Sequence, residues 1–271
     1  MASVMMTVNG INVHYEIINP RVENTVVLLH GFTGSSATWN KVMHLLGEQV
    51  RIIAIDLMGH GYTDSPKNVA HYSMEKQVAV LHELLIQRNV DVFTLVGYSM
   101  GGRVALAYAL QYPDTVEQLI LESASPGLQM ADERAARAKA DNVLADRLES
   151  EGIQAFVDYW ESIPLFATQK SLPLDVQKEI RAERLLQNAR GLANSLRGKG
   201  TGQQSSYRDE LTNFAKPVIL VTGELDGKFR KKAEDMKKSL PNCTHIIVPK
   251  VGHAIHVENP ETFATIIKEQ I

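Results

Sequence analysis

The run Phe93-Thr-Leu-Val-Gly97-Tyr98-Ser99-Met100-Gly101-Gly102-Arg103 narrows what this chain can fold into more than any other stretch. Its first four residues are aromatic, β-branched or aliphatic and read as a buried strand. The Gly-x-Ser-x-Gly that follows punctuates a sharp turn, and residues 104–110 continue as a good helix former. Strand, turn and helix together lift the Ser99 hydroxyl out of a sheet as a nucleophile. Glycine at 97 and 101 has a steric reason, because side chains there would collide with backbone passing close to a strained turn. A serine in a chance glycine-rich loop would need neither the strand before it nor the helix after it.

Asn9-Gly10, between apolar runs at 4–8 and 11–17, is the strongest short hairpin signal, so an antiparallel pair is expected to open the chain. Buried strands are expected at 25–29, 50–55 and 118–121, with helices at 39–46 and 74–88, the latter capped by Ser73. Strands alternating with helices imply a mostly parallel sheet with helices on both faces. From about residue 126 to 206 the alternation stops. Helical patterns at 131–148, 154–160 and 176–186 are separated there by Gly152, Pro164, Pro173 and Gly191. This stretch reads as a helical insertion lying over the sheet as a lid, within a single domain of 1–271 whose core is 1–125 and 207–271. The pattern resumes with strands at 217–222 and 244–248 and helices at 229–240 and 260–270.

Lys plus Arg number 28 against 31 Asp plus Glu, so the net charge of −3 supplies no basic field for a nucleic acid. Cys243 is the only cysteine, which rules out an intrachain disulfide, and it reads as a buried structural thiol. Residues 1–8 have neither a basic start nor a long apolar run, and no later segment approaches a membrane span. A cytoplasmic protein is expected, as a monomer or a homodimer.

A serine hydroxyl needs a base, and the base needs an orienting carboxylate. In a doubly covered parallel sheet, functional groups emerge at the carboxyl ends of the strands. Asp226 follows the 217–222 strand through Gly223-Glu224-Leu225, and His253 follows the 244–248 strand through Pro249 and Gly252. Ser99, Asp226 and His253 are therefore the catalytic candidates, with Glu224 and His256 close enough to compete. Asp56, Asp64, His30 and His60 sit on earlier loops and read as structural. An oxyanion hole would use the backbone N–H of Met100 and that of Phe32 in the loop His30-Gly31-Phe32. The run at 197–202, Arg-Gly-Lys-Gly-Thr-Gly, invites a phosphate reading but lacks the preceding strand and the Lys-[ST] ending of a P-loop.

Turn, His-Gly loop, triad order and helical insertion resemble the α/β-hydrolase superfamily over essentially the whole chain. Further pieces resemble one branch, the 2-succinyl-6-hydroxy-2,4-cyclohexadiene-1-carboxylate synthases of menaquinone biosynthesis. They are Tyr98-Ser99-Met-Gly-Gly-Arg103, Ser125-Pro-Gly-Leu128 followed by Glu133-Arg-Ala-Ala-Arg137, Phe156-Val-Asp-Tyr-Trp160, Pro164-Leu-Phe166, Arg184, and Gly223 to Arg230. The resemblance implies a lyase that eliminates pyruvate from a tricarboxylate substrate and needs neither metal nor organic cofactor. It also implies that Tyr98, Arg103, Arg137, Trp160 and Arg184 bind the substrate, while Arg134 and Arg181 are bystanders. The competing reading is a hydrolase of small esters, or of carbon–carbon bonds in ring-cleavage products, using the same triad.

Overall fold

The computed structural model, which describes residues 1–271, opens with the expected hairpin. β1 (Ala2–Val8) and β2 (Ile11–Ile18) pair antiparallel across Asn9 and Gly10, both at positive φ as a tight hairpin turn requires. β3 (Thr25–Leu29), α1 (Asn40–Leu46), β4 (Arg51–Ile55), α2 (Met74–Gln87), β5 (Phe93–Tyr98), α3 (Met100–Gln111) and β6 (Val116–Glu122) then alternate. α4 (Ala131–Trp160), α5 (Leu174–Leu185) and α6 (Ala189–Lys199) follow with no strand among them. β7 (Val218–Gly223), α7 (Gly227–Lys237), β8 (Cys243–Val248), α8 (Ile255–Glu258) and α9 (Pro260–Lys268) complete the chain. The eight strands form one sheet in the order β1-β2-β4-β3-β5-β6-β7-β8, parallel from β4 onward.

Period-two alternation along the central strands builds two cores from this sheet. Val27, Leu29, Leu95, Leu119 and Leu220 face α2, α3 and α7, whereas Val26, Leu28, Val96, Ile120 and Ile219 face α1 and α9. Both faces are covered, so β3 and β5 are apolar at every residue but Thr25, Thr94 and Gly97 and buried throughout. No helix is long and apolar enough to cross a membrane.

The segment between β6 and β7 has its own small core of Ala145, Leu148, Phe156, Leu192, Ala193 and Leu196, where α4 packs on α6. Burying a side chain such as Phe156 or Leu192 contributes roughly 1.5–3 kcal/mol. α4 breaks at Gly152 (φ 80), where the sequence pattern divides it. Gly191 is a correction: it does not separate helices but lies inside α6, where a side chain would strike the carbonyl of Gly59. Gly198 likewise lies against Tyr72, so the glycines that lower this segment's helix propensity are what let α6 approach the loop after β4.

That approach buries Lys199 completely. Its ammonium donates to the Met58 carbonyl at 3.0 Å over the Tyr72 ring, which rules out the phosphate reading of this run. Burial, and then the neighbouring Arg103, push its pKa down to about 7. The folded value lies below the unfolded one, so the unfolded chain holds a proton that the native chain has released between these values. Stability from this group therefore rises with pH across that window. Lys199→Met is expected to flatten the rise by about 2 kcal/mol between about pH 7.5 and 9.5, read by urea denaturation of both proteins. Parallel stability curves would show that the amine is protonated in the fold.

Cys243 also departs from expectation, being half-buried at the first residue of β8 rather than enclosed. Partial burial pushes its thiol up to about 11, so no thiolate nucleophile is present near neutrality.

Candidate active site

Ser99 lies between β5 and α3 at φ 51, ψ −103. A non-glycine residue in this region carries about 1–3 kcal/mol of strain, which the surrounding packing must hold. A side chain on Gly101 would strike the carbonyls of Leu29 and His30, and one on Gly97 would strike the backbone of Gly101 and Gly102. The turn presses α3 directly onto the sheet and leaves the serine hydroxyl at its crest.

Ser99 Oγ lies 3.1 Å from His253 Nε2, and His253 Nδ1 lies 2.6 Å from Asp226 Oδ2. With Nδ1–H donating to the carboxylate, Nε2 is left to accept the serine proton. Asp226 Oδ1 accepts the Phe229 N–H and caps α7, so the helix start aims the carboxylate at the histidine. That cap is also why α7 begins at Gly227, ahead of the expected 229. His253 is 2% exposed, with the Phe229 ring 4.5 Å and the Tyr98 ring 5.3 Å away. Low-dielectric walls of this kind strengthen the charge interactions inside them. Glu258 accepts the N–H of Gly252 (2.7 Å) and of Ala254 (3.4 Å), which fastens the chain on both sides of His253.

The competitors are engaged elsewhere. Glu224 accepts the Lys250 N–H on an exposed turn, and His256 is buried between Glu122 (2.9 Å) and Thr38 (3.0 Å). Asp56 bonds His14 and the Tyr62 N–H, and Asp64 accepts from Asn12. His30 Nε2 accepts the Leu57 N–H, and burial pushes its pKa down to about 4, so it is neutral. Phe32 N–H has no acceptor within the chain. Met100 N–H opens α3, where such groups have no intrahelical partner.

Ser99, Phe32, Met100 and His253 line a hollow of about 120 Å³ that opens into an outer cleft of about 720 Å³. Arg137, Leu144, Trp160, Leu165, Lys228 and His253 line both and mark the junction. Arg103 forms part of the inner wall, one helical turn beyond Ser99. Its Nη1 donates to two neutral oxygens, Lys199 O (2.8 Å) and Gln204 Oε1 (2.6 Å). Burial, and then Arg137, push its pKa down to about 10, so it stays a cation in an environment that opposes the charge. Arg137 is less enclosed and gives its Nε to Asp141 at 2.7 Å. Trp160 turns a buried Nε1–H, with no acceptor, into the same wall.

A family profile described as alpha/beta hydrolase fold matches residues 24–260. A Bacillus subtilis (strain 168) protein, provisionally named 2-succinyl-6-hydroxy-2,4-cyclohexadiene-1-carboxylate synthase, is 44% identical over 271 residues, covering 99% of this chain and 98% of the relative. The chain belongs to the α/β-hydrolase fold family, in the branch of these synthases. An Enterobacter sp. (strain 638) synthase of the same name is 32% identical over 244 residues, covering 90% of each chain. A solved structure described as MenH from S. aureus superposes with a TM-score of 0.90 at 35% identity, over 93% of this chain and 96% of that one.

Of the residues implied by resemblance to the synthase branch, Tyr98, Arg103, Arg137 and Trp160 line the inner hollow with Ser99 and His253. Arg184 does not. Its guanidinium lies 4.7 Å behind the Phe166 ring, bonded to Gln169 and facing Glu161, so Phe166 stands between it and the hollow. Sequence reasoning also missed wall residues: Ser125, Ser195, Thr201, Phe166, Phe229 and Lys228. Lys228 and Phe229 sit inside a matched motif next to Asp226, and that adjacency was the available signal.

Proposed function

We propose that this chain eliminates pyruvate from 2-succinyl-5-enolpyruvyl-6-hydroxy-3-cyclohexene-1-carboxylate, giving 2-succinyl-6-hydroxy-2,4-cyclohexadiene-1-carboxylate in menaquinone (vitamin K2) biosynthesis. The observation that carries the reading beyond family membership is Arg103, a buried cation beside Ser99 whose partners are neutral oxygens. An unpaired buried charge is costly, and a carboxylate of the substrate supplies the missing partner. An esterase for neutral substrates has no use for it.

The positions of the double bonds in substrate and product define the step. The C2 proton lies beside the succinyl ketone; removing it forms C2=C3, moves C3=C4 to C4=C5, and expels enolpyruvate from C5. The enolpyruvate takes up a proton and becomes pyruvate. Ser99 removes the C2 proton as His253 accepts the serine's own, and Asp226 stabilises the imidazolium that results. Negative charge gathers on the ketone oxygen, where the Phe32 and Met100 N–H groups receive it. Arg103, Arg137, Tyr98 and Trp160 hold the ligand, and Arg184 joins them when Phe166 turns aside. Pyruvate release, coupled to the rise in absorption of the new conjugated diene, tests the assignment. Neither signal, together with fast turnover of a neutral ester, would replace it with the hydrolase reading.

In the same proposal residues 126–206 act as a lid, since α4 carries Arg137 and Trp160 and the following residues carry Phe166. Closing elements are commonly of low local stability and gain order with ligand. Hydrogen exchange across 126–206 is expected to slow when product binds, while the central strands stay unchanged. Equal protection in both states would remove gating from the mechanism.

A further inference from the structure

We propose that Lys228 is a substrate-binding residue at the doorway of the site, its ammonium and the Arg137 guanidinium receiving one ligand carboxylate where the two hollows meet. The inference rests on the tricarboxylate reading above and adds a cation that the family resemblance does not assign.

Lys228 and Arg137 are the two lysine or arginine side chains that, like His253, line both the inner hollow and the outer cleft. They come from opposite walls, Lys228 from the first turn of α7 and Arg137 from α4. Arg137 keeps its Nε on Asp141, whose other oxygen has no partner, and lines both hollows. Lys228 has no carboxylate within ion-pair distance; its ammonium lies 5.7 Å from the ring centre of Phe229, the residue whose ring packs on His253. Lys228 is exposed at its outer side, yet it lines the same two hollows as His253.

The local field agrees with this geometry. Lys232, one turn further along α7, has its pKa lowered by burial first and then by Lys228, with Arg137 also contributing. Lys228 and Arg137 thus both act on Lys232, which itself lines neither hollow, against Glu133 and Asp235 beside it and Asp141 beneath Arg137. Lys228 itself has no carboxylate within ion-pair distance, and a free cation at the mouth of a cleft draws in an anionic ligand as it arrives. The helix start adds little, because Asp226 already caps it. The role of Lys228 is thus in binding, not in the proton transfer.

Kinetics of pyruvate release separate the two. Lys228→Ala is expected to raise KM about tenfold with kcat within about twofold, Lys228→Arg to recover most of the loss, and Lys228→Glu to exceed it. The wild-type KM should rise more steeply with salt than that of Lys228→Ala. Lys231→Ala, on the exposed side of α7, serves as the unchanged control, and thermal melting confirms that each variant is folded. An unchanged KM in folded Lys228→Ala overturns the inference while leaving the lyase reading intact. Should the wild type release no pyruvate, the lyase reading fails on its own account, and Lys228 is judged by calorimetry with citrate as a tricarboxylate probe. Binding weakened several-fold in Lys228→Ala then supports the doorway cation; equal binding, or none by the wild type, overturns it.

Discussion

Ser99→Ala and His253→Ala are each expected to lower kcat by roughly 10³–10⁴-fold while the fold survives, and the double variant should be little worse than either single. The reason is geometric: the hydroxyl and the imidazole lie 3.1 Å apart, and in the proposed step one proton passes between them, so losing either removes the whole relay. Asp226→Asn separates the two jobs of this side chain. Its oxygen can still accept the Phe229 N–H and cap α7, but an amide facing His253 Nδ1 favours the wrong tautomer. A large loss of rate with an unchanged melting temperature is the expected signature. Fully multiplying losses in the double variant would mean that serine and histidine act independently, and the elimination step would need a different base.

The candidate residues could be named because they obey local rules. Ser99, Asp226 and His253 each follow the end of a parallel strand, which puts them forward together with Glu224 and His256; only the structure separates the pairs, by binding Glu224 to the Lys250 N–H and enclosing His256 against Glu122. Where the reading failed, packing across long sequence separation decided the outcome. The helix α6 was masked by Gly191 and Gly198, whose purpose is visible only once Gly59 and Tyr72 are seen lying against them. The burial of Lys199 could not be read from its run, because nothing local announces that its ammonium ends on the Met58 carbonyl. Arg184 is a different case: its motif names the residue but holds no information on which side of Phe166 its guanidinium falls, and its role is decided by substitution.

That last point shapes the arginine scan. Arg103→Ala is expected to cost about 2–5 kcal/mol in kcat/KM for pyruvate release, the range found when a buried charge pair loses one member. Arg137→Ala should fall near the lower end, because its side chain is 41% exposed and water can replace part of what it offers. Lysine at either position should recover only part of the loss, since an ammonium keeps the charge but not the two-pronged geometry. Arg134 and Arg181 make the controls: the first bonds the Leu128 and Gln129 carbonyls, the second pairs with Asp158 and Glu161 near the surface. Alanine at either should stay within about 0.5 kcal/mol. Arg184→Ala decides whether the Phe166 wall moves. A loss comparable with that at Arg137 requires the ring to turn aside and the guanidinium to reach ligand. An effect no larger than the controls would make Arg184 a support behind a fixed wall, leaving Arg103 to meet one carboxylate and Arg137 with Lys228 another. A neutral ester turned over quickly, and indifferent to Arg103→Ala, would remove the reason for burying that cation and with it the lyase assignment.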